Sequence, residues 1–148
     1  MGDLPSAVLF CCTHNAVRSP MAEALLKHLC GQRIYVDSCG VRADADIDGF
    51  AVAVMDEIGI DISKHKGKSF DDLEDSSYDL IVSLSPEAQH KAVDMTRVMA
   101  CDVEFWNTFD PTVVEGTREE RLAAYREVRD SLMVRIIAAF PVPGAPDI

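Results

Sequence analysis

The stretch VLFCCTHNAVRSPMAEALL, residues 8–26, joins an apolar run to a helical pattern through a short polar loop. The apolar run suits a strand that is covered on both faces of a sheet. After the loop, Ser19 is predicted to cap a helix, with Pro20 in the first helical position and Gly31 as its terminator. The stretch therefore predicts a strand, a loop and a helix in succession, the unit from which α/β folds are built.

The rest of the chain repeats this alternation. The predicted strands are residues 7–10, 34–38, 78–84 and 98–106, of which the last is more polar and is expected nearer an edge. The later predicted helices are residues 46–58, Ser85 to about Arg97, and a long helix that begins at the capping box of Thr117 and Glu120. Such alternation implies parallel pairing with right-handed crossovers. We expect a single domain over residues 1–148, a three-layer α/β/α sandwich around a four-stranded parallel sheet, with residues 141–148 as a loose tail.

The composition excludes several classes of protein. A net charge of −11 argues against a nucleic-acid partner, which needs a basic surface. No apolar run approaches the about 18 residues of a membrane span, and the N-terminus lacks the basic residues of a signal peptide. The 5 cysteines include no C-x-x-C pair, and the 4 histidines (His14, His28, His65 and His90) show no metal-ligand spacing, so we expect them at the surface or in packing. We expect a cytoplasmic protein without metal or cofactor, whose oligomeric state the pattern does not determine.

The loop between the first strand and the first helix is the candidate anion site. It follows the carboxyl end of a strand, where open parallel sheets bind their ligands, and it ends at a helix N-terminus. The residues whose amides are expected to surround a tetrahedral oxyanion are Thr13, His14, Asn15, Ala16, Val17, Arg18 and Ser19. Asn15 also tolerates the left-handed backbone that such a loop often needs.

Cys12 and Arg18 stand at the two ends of this loop. A thiol beside a helix N-terminus ionises readily, so we expect Cys12 to be a nucleophilic thiolate that the hydroxyl of Ser19 steadies. The planar guanidinium of Arg18 matches two oxygens of a phosphate. A cysteine that merely ends a strand is common, but the strand before the loop, the Ser-Pro pair after it and Asn15 within it favour covalent catalysis on a phosphate-like group.

These residues resemble the low-molecular-weight protein tyrosine phosphatase family, whose loop reads C-x5-R-S-P after the first strand. The resemblance continues in order through DSCG (37–40), EIGIDISKHKGKSF (57–70), YDLIVSL (78–84) and FDPT (109–112). It implies that Cys12 is the nucleophile, that Arg18 binds the phosphoryl oxygens, and that Asp110 is the general acid. It also implies that Asn15, Ser19 and Ser38 support the loop, and that the reaction passes through a phosphocysteine without a metal.

The sequence departs from the family pattern at several positions. Val17 stands where the family often has a second loop cysteine, and Cys11 is expected in the core. Thr112-Val113 and the segment VRADADID (41–48) stand where the family often has aromatic residues that grip a phenyl ring. We expect Phe105, Trp106 or Phe109 to supply the apolar contact instead.

Three functions fit the pattern. The first is a phosphatase that acts on a phosphorylated protein, foremost on phosphotyrosine, or on a small phosphate ester. The second is an arsenate reductase of the same fold, which CTHNAVRS (12–19) and FWNTFDP (105–111) also resemble. The thioredoxin-coupled kind needs two further cysteines after the third strand, where this chain has Ser83 and Ser85, so a reductase here would use a small external thiol. The third is a non-catalytic phosphate-binding partner protein.

Overall fold

A computed structural model describes residues 4–73 and 77–141 of the chain. Within them lie the strands β1 (Ala7–Cys12), β2 (Tyr35–Gly40), β3 (Leu80–Ser83) and β4 (Asp102–Phe105). The helices are α1 (Arg18–Cys30), α2 (Gly49–Asp56), α3 (Pro86–Met95) and α4 (Arg118–Ala139), and two short 3₁₀ helices span Phe70–Asp72 and Pro111–Val113. None of the described helices combines the length and the apolar character that crossing a membrane requires.

The four strands form one parallel sheet in the order β2-β1-β3-β4. Successive residues of β1 point to opposite faces. Phe10 packs into the core under α1, α2 and α4, whereas Leu9 and Cys11 pack on the other face, which α3 covers. This arrangement confirms the predicted three-layer α/β/α sandwich, the position of β4 at an edge and the burial of Cys11 in the core.

The start of α1 differs from the prediction. The helix begins at Arg18, with Val17 at the N-cap and no side-chain cap, so Ser19 is not the capping residue. The hydroxyl of Ser19 is instead bonded to side chains of the loop, which leaves it unavailable to the helix amides. Pro20 lies third in the helix, where its missing N–H costs nothing because the first turn has no intrahelical acceptor.

Two predicted segments are too long: β4 spans Asp102–Phe105 instead of 98–106, and α2 spans Gly49–Asp56 instead of 46–58. The starts of α3 and α4 follow local signals closely. Ser85 caps α3 with Pro86 in its first position, and Thr117 and Glu120 form the predicted capping box of α4. β1 extends two residues beyond the predicted end, because Cys11 and Cys12 pair with the end of β2. Of the predicted tail, residues 142–148 lie outside the described part of the chain.

Candidate active site

Cys12 lies at the carboxyl end of β1, and its side chain is almost fully buried at 2% exposure. Its sulfur is 2.9 Å from the Ser19 hydroxyl oxygen. That oxygen accepts a hydrogen bond from Asn15 Nδ2 at 2.8 Å and lies 3.3 Å from the Cys39 carbonyl oxygen. Asn15 is the donor in its contact, whereas the Cys39 carbonyl can only accept, so the single hydroxyl proton of Ser19 is shared between that carbonyl and the nearer sulfur. Donation to the sulfur would stabilise a thiolate there.

Asn15 is the centre of the loop's hydrogen-bond network. Its backbone has a positive φ of 55°, and its side chain is fully buried. Nδ2 donates to Ser19 and to the Ser38 hydroxyl at 3.0 Å, while Oδ1 accepts from the Lys68 amide at 3.1 Å and from His65 Nε2 at 3.0 Å. Four contacts from three separate segments therefore fix the turn of the loop, and this geometry is consistent with the supporting role predicted for Asn15, Ser19 and Ser38.

His65 is a functional-site residue that the sequence does not single out. Its Nε2 must carry the proton, because Asn15 Oδ1 can only accept. Its Nδ1 is 3.9 Å from a Glu23 carboxylate oxygen, which also accepts a hydrogen bond from Ser38. Burial lowers the pKa of His65, although Glu23 opposes this shift. His65 lies within the segment 57–70 that resembles the family, but no spacing rule connects it with a loop 50 residues away.

The guanidinium of Arg18 is held between the loop and the segment after β4. One terminal nitrogen donates to the Thr108 carbonyl oxygen at 3.0 Å, and the other donates to Thr13 Oγ1 at 3.4 Å. Thr13 Oγ1 also donates to Ser85 Oγ at 3.1 Å, which anchors the first residue of the loop. Arg18 thus uses one N–H group of each terminal nitrogen for contacts within the protein. The other N–H groups donate to no residue within 4–73 and 77–141, so they can bind the oxygens of an anion.

Cys12 and Arg18 line one open cleft of about 140 Å³. Asp110 lines the same cleft, at the N-cap of the second 3₁₀ helix. One of its carboxylate oxygens accepts from the Thr112 amide at 3.0 Å and from the Thr112 hydroxyl at 2.7 Å. The fold therefore places a thiol, a guanidinium and a carboxyl group around a single space.

The remaining predicted loop residues surround this cleft in different ways. Ala16 and Val17 line it, as does His14, whose Nδ1 is 2.8 Å from the Asp44 carboxylate. Trp106 does not face a substrate, contrary to the expectation from the sequence, because it is buried between Phe10 and Phe140.

Two apolar side chains on the same segment remain accessible. Phe105 is 42% exposed and Phe109 is 58% exposed. Neither is among the residues that line the cleft, so the apolar contact that the sequence assigns to this segment stays a prediction.

Gly40, at the end of β2, explains how the loop passes so close to the sheet. A Cβ atom at this position would lie 2.7 Å from the Arg42 carbonyl oxygen, 2.8 Å from the Asn15 amide nitrogen and 2.9 Å from the His14 carbonyl carbon. All three are backbone atoms, so no side chain could move aside. Glycine is therefore required here by the close approach of two backbone segments.

Comparisons with known proteins show the family and the fold of the chain. Residues 7–135 match the family of low molecular weight phosphotyrosine protein phosphatases, and the chain belongs to that family. An arsenate reductase from Halalkalibacterium halodurans is 37% identical over 131 residues, which cover 87% of this chain and 91% of the relative.

Solved structures that share the fold include a phosphatase and an arsenate reductase. The tyrosine phosphatase AmsI of Erwinia amylovora superposes with a TM-score of 0.74 at 18% identity, covering 95% of this chain and 97% of that one. An arsenate reductase in its oxidised state gives a TM-score of 0.72 at 26% identity, covering 90% and 95%. The family resemblance read from the loop is confirmed, and both named activities occur among similar proteins.

Proposed function

We propose that the protein is a cysteine-dependent phosphatase that hydrolyses phosphate monoesters, foremost protein phosphotyrosine, through a phosphocysteine intermediate. The observation that carries the proposal is the convergence of Cys12, Arg18 and Asp110 on one cleft. A nucleophile, an anion-binding group and a proton donor are the three parts that such a hydrolysis needs.

The first half of the reaction transfers the phosphoryl group to the protein. The Cys12 thiolate attacks phosphorus while Arg18 and the loop amides bind the non-bridging oxygens. The bond from phosphorus to the ester oxygen breaks, and Asp110 gives its proton to the departing alkoxide or phenoxide. The products of this step are the free alcohol and phosphocysteine.

The second half releases phosphate. Water attacks the phosphorus of phosphocysteine, and the carboxylate of Asp110 accepts a proton from that water. The bond from phosphorus to sulfur breaks, which regenerates the Cys12 thiolate. The hydroxyl of Ser19, 2.9 Å from the sulfur, is placed to stabilise this leaving group.

The second candidate is arsenate reduction with an external thiol, which the names of similar proteins favour. Arsenate has the shape and charge of phosphate, so the loop does not discriminate between them. A thioredoxin-coupled reductase would need a second cysteine that forms a disulfide with Cys12, and the described residues give such a partner little support. Ser83 ends β3 and Ser85 caps α3, and burial raises the pKa of both the Cys11 and Cys39 thiols.

Parallel assays of aryl phosphate hydrolysis and of monothiol-dependent arsenate reduction distinguish these candidates. We expect steady phosphate release, with a kcat/KM well above that for arsenate. Arsenate turnover with negligible phosphate release would favour the reductase. Phosphate binding without turnover in either assay would favour the non-catalytic binding protein.

A further inference from the structure

A larger groove continues from the catalytic cleft. It lies between residues 43–47 and residues 63–67 and has a volume of about 910 Å³. Ala45 and Asp46 line both the cleft and the groove, so the two spaces adjoin. A phosphoryl group or an arsenate ion fills only the cleft, which leaves the groove for whatever is attached to the phosphoryl group.

The groove is lined by side chains of both charges: one carboxylate that also lines the cleft, and two lysines that line only the groove. Asp46, at the boundary with the cleft, is exposed, and its side chain forms no hydrogen bond or ion pair within residues 4–73 and 77–141. Lys64 and Lys66 line the groove but not the cleft, and neither forms an ion pair with a described residue. Asp44 differs, because it is paired with His14.

We propose that this groove binds the peptide chain of a phosphoprotein substrate. A basic side chain beside the phosphorylated residue contacts Asp46, and an acidic side chain farther along contacts Lys64 and Lys66. The proposal rests on the proposed phosphatase activity and specifies its substrate class. Charge complementarity of this kind selects among partners more than it adds affinity.

The groove is also connected with the catalytic loop through His65. This residue lines the groove and donates to Asn15, the residue that fixes the turn of the loop. A peptide in the groove would cover His65 and shield that hydrogen bond from water. His65 therefore joins the groove to the loop through one hydrogen bond.

The test uses two phosphotyrosine peptides of the same composition and net charge. The first is Glu-Ala-Lys-pTyr-Lys-Ala-Glu, with basic residues beside the phosphotyrosine, and the second is Lys-Ala-Glu-pTyr-Glu-Ala-Lys. Both read the same in either direction, so the result does not depend on the orientation of the chain in the groove. Exposed ion pairs are individually weak, so we expect the first peptide to have a kcat/KM about three- to tenfold higher.

Charge-reversed variants link this preference with the groove. The triple variant Asp46→Lys, Lys64→Glu, Lys66→Glu is expected to prefer the second peptide. Asp102→Lys is a control for charge reversal outside the groove, because Asp102 is exposed and begins β4, whose edge of the sheet is opposite to that of β2. This control is expected to retain the wild-type ratio of the two kcat/KM values. A triple variant that also retains that ratio would overturn the proposal.

Aryl phosphate hydrolysis separates failure of this proposal from failure of the proposed function. If aryl phosphate is hydrolysed and the two peptides react equally, the groove proposal is wrong and the phosphatase stands. If aryl phosphate is not hydrolysed, the proposed function is wrong, and calorimetric affinities of the two peptides for Cys12→Ser decide about the groove. Tighter binding of the first peptide supports the groove, and equal affinities overturn it.

Discussion

His65 Nε2 donates a hydrogen bond of 3.0 Å to Asn15 Oδ1, across 50 residues of chain. This contact connects the segment after α2 with the turn of the anion loop. The same Asn15 side chain then contacts Ser19, which contacts the Cys12 sulfur. The position of the proposed nucleophile therefore depends on a side chain that is far away in the sequence.

His65 is expected to make folding stability depend on pH. Burial lowers the pKa of its imidazole from the ordinary value of about 6.5, against the smaller opposing effect of Glu23. As the pH falls, the unfolded chain therefore binds the proton before the folded chain does. This contribution to stability is complete above about pH 6.5 and is lost progressively below it.

Urea unfolding of wild type and His65→Gln at about pH 7.5 and about pH 5.5 measures this contribution. Glutamine keeps an N–H donor for Asn15 but does not titrate. We expect wild type to lose more unfolding free energy than the variant between the two pH values. An equal loss in both proteins would show that His65 does not titrate differently in the folded and unfolded states.

Substitution of Asn15 separates the backbone requirement of the loop from its hydrogen bonds. Asn15→Gly keeps the freedom to adopt a φ of 55° but removes the side-chain contacts, and we expect a loss of about 3 kcal/mol in unfolding free energy. Asn15→Ala also places a β-carbon in left-handed backbone, which costs about 1 kcal/mol more. Equal stabilities of the two variants, measured in urea, would contradict this separation.

Gly40 and Gly49 form a matched pair of alanine substitutions. A Cβ at Gly40 would overlap three backbone atoms, so we expect Gly40→Ala to lose about 1–3 kcal/mol of stability and to weaken phosphate binding. A Cβ at Gly49, in the first position of α2, meets nothing within 4 Å. There we expect a gain of about 0.5 kcal/mol, because alanine loses less backbone entropy on folding. Thermal unfolding and competitive inhibition by phosphate provide the two measurements, and wild-type phosphate affinity in Gly40→Ala would contradict the expectation.

Asp110→Asn removes the proposed proton donor. Phenoxide is a poor leaving group, so we expect kcat for phenyl phosphate to fall by about 100-fold or more, and that for nitrophenyl phosphate to fall less. Thr112→Val is the control, since it removes a 2.7 Å contact with Asp110 but keeps the carboxyl group. Equal reductions for both substrates in Asp110→Asn would argue against proton donation by this residue.

The features that the sequence predicts correctly are those set by local interactions. The apolar run of β1 predicts a buried strand whatever its neighbours in the sheet are. The caps of α3 and α4 are formed by residues adjacent to the helices in the sequence. The start of α1 shows the limit of this reasoning. Serine is a favoured cap, but the hydroxyl of Ser19 contacts Cys12 and Asn15 instead, so tertiary contacts override the local preference.

Two other features depend on distant parts of the chain. Trp106 is removed from the cleft by packing against Phe140 at the end of α4, and His65 reaches Asn15 only when the segment after α2 folds over the loop. Neither contact has a periodic or adjacent signal in the sequence. They follow from the assembled sheet and helices.

Cys12→Ser tests the central claim most directly, with Cys101→Ser as a control at a half-buried cysteine just before β4. Aryl phosphate hydrolysis and phosphate affinity are measured on the same preparations. We predict that Cys12→Ser loses detectable turnover but still binds phosphate, whereas Cys101→Ser retains both. Continued hydrolysis by pure Cys12→Ser would contradict the assignment of this sulfur as the nucleophile.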